Sequence, residues 1–137
     1  MRANRYFLAA IAASFCVPSA APATAQPARV GYVIDGDTFR LESGERIRIA
    51  RIDAPETQPG QAKCRAEIAR GQATTRDVRA LLQGRTVAIE RVGRSYNRTV
   101  ANVRLGGDDV ATMLVERGIA AWWPLGRPRP NWCGHRP

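Results

Sequence analysis

Apolar and polar positions alternate from Ala28 onward. Val30, Tyr32 and Ile34 are spaced by two, and Asp35-Gly36-Asp37 then supplies the residues of a tight reversal. Phe39 and Leu41 alternate with Arg40 and Glu42 before a second turn at Ser43-Gly44. Arg46 to Ile52 predicts a third strand, with Ile47 and Ile49 on one face and Arg48, Ala50 and Ile52 on the other. Short turns make these three a meander. Pro55, Pro59 and Gly60 mark residues 53–61 as a loop.

The period then lengthens. Ala66, Ala69, Ala73 and Ala80 recur at helical spacing, and Val78, Leu81 and Leu82 follow, predicting a helix over Lys63 to Gln83. Gly71 weakens it at mid-length, and Gly84 ends it. Thr86 to Ile89 predicts a fourth strand, Gly93 to Asn97 a polar turn, and Thr99 to Leu105 a fifth strand with Val100 and Val103 as its main apolar members. Asp108 or Asp109 caps a second helix with the stripe Val110, Met113 and Leu114, closed by Arg117 and Gly118. Ile119 to Trp123 reads as an apolar extension packed on the core, and Pro124 to Pro137 as a proline-rich tail without regular structure. The order β-β-β-α-β-β-α predicts an α+β, mainly β fold. It is that of a five-stranded Greek-key barrel of OB type with two to three packed helices, an architecture whose faces and loops often bind nucleic acid.

The first residues have a different pattern. Arg2 and Arg5 precede an apolar run from Tyr6 to Val17, and small residues lead to Ala23-Thr24-Ala25, as in a secretory signal peptide. The run is shorter than the roughly 20 apolar residues of a membrane-spanning helix. A buried N-terminal helix fits less well, because the run has no polar face and Pro18 follows it. A lipidated Cys16 is set aside because bulky Phe15 precedes it. The expected division is a signal peptide over 1–25, one barrel domain over 26–123 and a tail over 124–137. Cleavage after Ala25 leaves 112 of the 137 residues and, with Arg2 and Arg5 gone, lowers the formal net charge from +9 to +7. The mature chain is expected to be exported, periplasmic or secreted, monomeric and without stable membrane association.

Export changes the cysteine arithmetic. Without Cys16 an even pair remains, Cys64 and Cys133, in a compartment that permits disulfides, so a bridge between them is expected. It would pin the tail to the start of the first helix. The single histidine, His135, reads as a solvated tail residue. One histidine excludes a His-rich zinc site and argues against a Ser-His-Asp triad, and the absence of a C-x-x-C pair excludes a zinc ribbon or dithiol redox site. The chemistry must run on carboxylates, arginines, hydroxyls and backbone.

Two acidic clusters flank the third strand, Asp35-Gly36-Asp37-Thr38 and Asp53-Ala54-Pro55-Glu56. Each alone reads equally well as turn chemistry. Arg48 lies between them on a face that packing would enclose, and a buried guanidinium needs a partner or an anion. With twenty arginines and a single lysine in the chain, one arginine is weak evidence by itself. Arg98, opening the fifth strand, raises the same question, since its forked donors suit a phosphate.

Together, Val33-Ile34-Asp35-Gly36-Asp37-Thr38, Arg48 five residues ahead of Asp53-Ala54-Pro55-Glu56, Tyr96-Asn97-Arg98 and Leu114-Val115-Glu116-Arg117-Gly118-Ile119-Ala120 resemble the thermonuclease (staphylococcal nuclease-like) family, in its exported bacterial form. The resemblance runs from Val30 to about Trp123. It implies a Ca²⁺-dependent nuclease that hydrolyses DNA and RNA with little sequence preference. Asp37, Asp53 and the Ala54 carbonyl match the family's Ca²⁺ ligands, Glu56 its general base, and Arg48 and Arg98 its phosphate-gripping pair. Where members usually carry Asp-(Arg/Lys)-Tyr-Gly-Arg, this chain has Arg94-Ser95-Tyr96-Asn97-Arg98, with Asn97 suited to a left-handed backbone. Tyr96 is a candidate substrate contact, through a hydrogen bond to phosphate, or a residue packed on its turn. Asp35 reads as a turn residue, and Thr38 as one that reaches the ion through water. Trp122, Trp123 and Trp132 could stack bases, but a pair just after a helix fits core packing better. The rival readings are a catalytically weak or inactive nucleic-acid-binding OB module, and an exported basic protein that binds another polyanion.

Overall fold

β1 (Gln26–Val33) runs antiparallel to β2 (Thr38–Leu41), which pairs with β3 (Arg46–Ile49), so the expected meander is present. The computed structural model describes residues 24–134; residues 1–23, on which the signal-peptide and Cys16 readings fall, and 135–137, which include His135, lie outside the described residues. A bulge between the Val30–Leu41 and Tyr32–Arg40 pairs resets the alternation of β1. Val30 and Val33 are buried in consequence, while Tyr32 is half exposed. Gly31 permits this, because a Cβ there would stand 3.3 Å from the Glu42 amide nitrogen.

The third strand is shorter than the alternation predicts. It breaks at Ala50-Arg51, where Arg51 takes a positive φ of 66°. Ile52–Asp53 becomes a separate strand, β4, paired with β8 (Ala121–Trp122). The fourth predicted strand is longer than expected. β5 (Thr86–Ser95) and β6 (Arg98–Leu105) form one long hairpin with a bulge between Arg91 and Gly93, leaving only Tyr96-Asn97 as the loop. The outer half of β5 is exposed, so its ladder carries no apolar signal. In β6 the buried side chains are Thr99, Ala101 and Val103, which turns Val100 to the other face. Parallel pairing of β3 with β6 closes β1, β2, β3, β5 and β6 into a five-stranded mixed barrel. With two helices, this is the mainly β, OB-type architecture expected from the element order.

α1 (Arg65–Leu82) begins at Cys64, whose sulfur accepts from the Glu67 amide at 3.4 Å. Its alanines are not its buried stripe. Glu67, Gly71, Thr74, Thr75, Val78 and Leu82 face the protein, while Ala66, Ala69 and Ala80 face solvent. Gly71 is required by close approach: a Cβ would collide with the Glu56 carbonyl oxygen. Gly84, at φ 76°, ends the helix and donates to the Val30 carbonyl at 2.8 Å. β7 (Asp108–Asp109) pairs with the end of β6 and leads into α2 (Val110–Glu116). Of the two candidate caps it is Asp109 that accepts from the Thr112 amide, at 3.0 Å. Val110, Ala111 and Leu114 are buried, and Met113 only partly.

The core lies inside the barrel and under the two helices, built on Phe39, Ile47, Ile49, Ile89, Leu82 and Leu114. No helix among the described residues is long and apolar enough to cross a membrane. Residues 124–134 contain neither helix nor strand, yet Cys133 is bonded to Cys64, with the Cα atoms 5.9 Å apart. The tail therefore lies against the barrel.

Candidate active site

The strand break in β3 builds the seat of Arg48. Because the chain turns at Ala50-Arg51, the carbonyls of Ile49 and Ile52 both face its guanidinium, accepting from Nη1 at 2.6 Å and Nη2 at 2.7 Å. Nη2 also stands 3.4 Å from Asp37 Oδ2 and 4.0 Å from Asp53 Oδ1. All three side chains are nearly enclosed, with 11%, 9% and 1% of their surfaces exposed. Arg48 thus points to the enclosed side, as its position on the strand predicts, and two carboxylates converge on it.

Asp37 is fixed by its own turn. Its amide donates to Asp35 Oδ1 at 3.0 Å, so Asp35 serves the turn as expected. Asp37 Oδ1 accepts from the Thr38 hydroxyl at 2.9 Å, and Oδ2 from the Ala54 amide at 3.0 Å, which ties the two acidic clusters together. The Thr38 hydroxyl in turn accepts from Arg98 Nη1 at 3.3 Å. Gly36 admits Ala54, whose methyl group would crowd any Cβ at that position.

Glu56 stands on the loop after β4, held through its backbone. The buried Glu67 carboxylate of α1 accepts from the Glu56 amide at 3.2 Å and from the Lys63 amide at 2.8 Å. Gly71 accommodates the Glu56 carbonyl behind it.

These groups line one pocket of about 940 Å³. Asp37, Arg48, Asp53, Ala54, Glu56, Tyr96 and Arg98 all contribute to its wall. Every residue expected from the sequence as catalytic, as a metal ligand or as a substrate contact therefore lines a single concavity. Tyr96 stands on the rim, 96% exposed, so it does not pack on its turn. The left-handed backbone expected at Asn97 falls on Tyr96 instead, at φ 55°, and the Asn97 side chain accepts from Arg46 Nη1 at 3.2 Å.

Three further residues join the site: Arg129, for which the sequence held no expectation, and Trp132 and Trp123, which it offered only as possible base-stacking rings. Arg129 Nε donates to Asp53 Oδ1 at 2.9 Å, and its Nη2 to Glu56 Oε1 at 2.6 Å. The Trp132 indole donates to Asp53 Oδ2 at 2.8 Å. Trp123, from the apolar extension, lines the pocket with its ring centroid 6.0 Å from both the Arg48 and the Arg129 guanidinium carbons. Trp122 departs from the core-packing expectation, being 45% exposed and stacked with Arg51 at 5.6 Å. The signal that could have placed Arg129 and Trp132 here was Cys133, since a bridge to Cys64 returns the tail to the loop that carries Glu56.

The acids hold surplus negative charge. Burial, with the Asp37 and Glu56 charges adding to it, pushes Asp35 up to about 7. Burial also raises Asp53 above the ordinary carboxylate range, with Asp37 adding to it and Trp132 and Arg129 opposing. Burial works against the charge on Arg129, but Glu56 and Asp53 outweigh it and hold that guanidinium above its usual range. Among the described residues no three acidic, histidine or cysteine side chains form a metal-binding group by themselves. A cation here would have to draw on two carboxylates, a backbone carbonyl and water, a hard-oxygen set of the kind Ca²⁺ accepts.

No curated protein matches the chain. Residues 46–129, more than half of the sequence, match the family described as staphylococcal nuclease homologue. That match spans Arg48, Asp53, Glu56 and Arg98 and ends on Arg129. The chain belongs to the staphylococcal nuclease homologue family, a family of nucleases.

Proposed function

We propose that the protein is an exported, Ca²⁺-dependent phosphodiesterase that hydrolyses DNA and RNA with little sequence preference. The observation that carries this reading is the convergence of Asp37, Asp53 and Glu56 with Arg48 and Arg98 around one pocket. A phosphodiester resists attack because it is anionic and its transition state gathers charge on the equatorial oxygens. Arg48, anchored by two backbone carbonyls and kept from water, offers positive charge that need not reorganise during reaction. Arg98 lines the same pocket, and its donors beyond the Thr38 contact are available to a second phosphate oxygen. Glu56 accepts a proton from the attacking water. Asp37, Asp53 and the Ala54 carbonyl would hold Ca²⁺, which supplies Lewis acidity and orients the water when bound.

A net charge of +7 after leader removal adds a salt-sensitive attraction to polyanions, indifferent to sequence. No histidine is needed, which agrees with the inventory. The test is hydrolysis of single- and double-stranded DNA and of RNA by the mature protein with Ca²⁺, Mg²⁺ or chelator side by side. Cleavage with Ca²⁺ that stops with chelator, and falls about 100-fold or more in Glu56→Gln, is expected. Salt-sensitive binding without cleavage would establish the non-catalytic OB module instead.

A further inference from the structure

Glu56 has a weakness that the barrel does not cure. Its backbone is braced by Glu67 and Gly71, but its side chain stands on a loop beside three other acids, Asp35, Asp37 and Asp53. Like charges at such range push one another apart unless a cation lies between them. Arg48 neutralises the Asp37–Asp53 side of the pocket, with no hydrogen bond or ion pair to Glu56. The group that meets Glu56 is Arg129, which spans Glu56 Oε1 and Asp53 Oδ1 with two donors of one planar fork.

Several independent contacts hold Arg129 there. Pro128 and Pro130 flank it and limit the backbone on either side. The Trp123 indole donates to the Arg127 carbonyl at 2.8 Å, and its ring lies beside the Arg129 guanidinium. Arg70 of α1 donates to the carbonyls of Trp132 at 3.1 Å and Gly134 at 3.0 Å. The Cys64–Cys133 bond then closes the tail onto the N-terminus of the same helix whose Glu67 and Gly71 hold the Glu56 backbone. The base is thus fixed from behind by α1 and from in front by a segment bonded to α1.

We propose that Arg129 is a positioning residue of the active site, holding the Glu56 carboxylate at a set distance from Asp53, and that the Cys64–Cys133 disulfide is what delivers it. This rests on the nuclease reading given above. The tail is then part of the catalytic apparatus, and the working enzyme is the oxidised one. Pocket volume remains beside it, so Arg129 forms a wall of the site and does not fill it.

The test compares the mature wild type with Arg129→Ala, Arg129→Lys and the double variant Cys64→Ser/Cys133→Ser, each checked for fold by circular dichroism. Steady-state cleavage of an oligonucleotide gives kcat and KM, and calorimetry without substrate gives Ca²⁺ affinity. In Arg129→Ala, kcat should fall about 10- to 100-fold while KM stays within about threefold, the cost of a misplaced reacting group. Ca²⁺ should bind that variant as tightly as the wild type or tighter, because a competing cation beside Asp53 has been removed. Arg129→Lys should recover part of kcat, since one ammonium reaches one acid but cannot span two. The cysteine double variant should reproduce the fall in kcat.

An unchanged kcat in Arg129→Ala overturns the proposal. A raised kcat overturns it too and makes the tail an obstruction. A higher KM alone would make Arg129 a phosphate contact, and weakened Ca²⁺ binding with kcat restored at saturation would make it a support of the cation site. A wild type that cleaves nothing overturns the nuclease reading and this inference with it, whereas an active wild type beside an equally active Arg129→Ala overturns this inference alone.

Discussion

The two halves of the pocket are built by different means. On one side Arg48, Asp37 and Asp53 belong to strands or to a tight turn between strands, and they are almost wholly enclosed. Their positions follow from register and from backbone carbonyls that cannot move without opening the barrel. On the other side Glu56, Arg129 and Trp132 stand on stretches with no ladder or helix of their own. There a disulfide, flanking prolines and ion pairs do what hydrogen-bonded strands do opposite. A barrel can thus carry a precise charge cluster on its strands while the remaining groups of the pocket are fitted from a loop and a tail.

Damage should therefore differ by side. Arg48→Ala should have the largest effect, because it removes the guanidinium between two buried carboxylates, Asp37 and Asp53, and with it the proposed phosphate grip. We expect about 3–5 kcal/mol less stability, as for a broken buried ion pair, by urea or thermal unfolding. Cleavage in whatever fraction remains folded should fall about 10²–10³-fold. An Arg48→Ala protein as stable as the wild type would show that the strand side is not the rigid one. Gly71→Ala should come next. Alanine favours a helix over glycine by about 1 kcal/mol, yet its Cβ would strike the Glu56 carbonyl, so net destabilisation of about 1–3 kcal/mol is expected. A drop in kcat should accompany it, since the backbone of Glu56, the proposed base, must shift; stabilisation in an unfolding assay would contradict the close approach.

The smallest effect lies on the outer wall of the barrel. Glu45 accepts from both Arg91 Nε, at 3.0 Å, and Nη2, at 2.6 Å, and from the Thr99 hydroxyl at 2.8 Å. The Arg91 hydrogen bonds hold its carboxyl below the ordinary 4.5, against some desolvation. A folded value lower than the unfolded one means that the contribution is complete above about 4.5 and is lost as pH falls through the folded value. With both side chains partly in water, Glu45→Gln should cost about 1 kcal/mol or less at pH 7, and nothing extra once the carboxyl is protonated. A loss that grows on acidification would reverse the sign of this assignment.

The strand side was legible in the sequence because its signals are local. Alternation located β2 and β3, the position of Arg48 in β3 turned it inward, and the acidic turns named their own carboxylates. Legibility failed where tertiary contact overrides local pattern. Alanines at helical spacing located α1 but not its buried face, which is set by a carbonyl that only Gly71 admits and by Glu67 clamping two amides. The run from Arg46 to Ile52 gave no sign of the left-handed Arg51, although that break supplies the second carbonyl for Arg48. Trp132 and Arg129 are separated from Asp53 by more than seventy residues and share no motif with it. Only the pairing of Cys64 with Cys133 linked the two in advance, and it fixed where the tail ends without saying which side chains it would present.

One measurement bears on whether these groups act as a unit. Single-turnover cleavage with saturating Ca²⁺ should be compared for wild type, Glu56→Gln, Arg98→Ala and the double variant, each verified as folded. If base and arginine serve the same transition state, the double variant should be only slightly slower than the worse single one, because either loss alone removes most of the shared advantage. Losses that multiply as independent factors, or single variants that cleave at the wild-type rate, would contradict a common site.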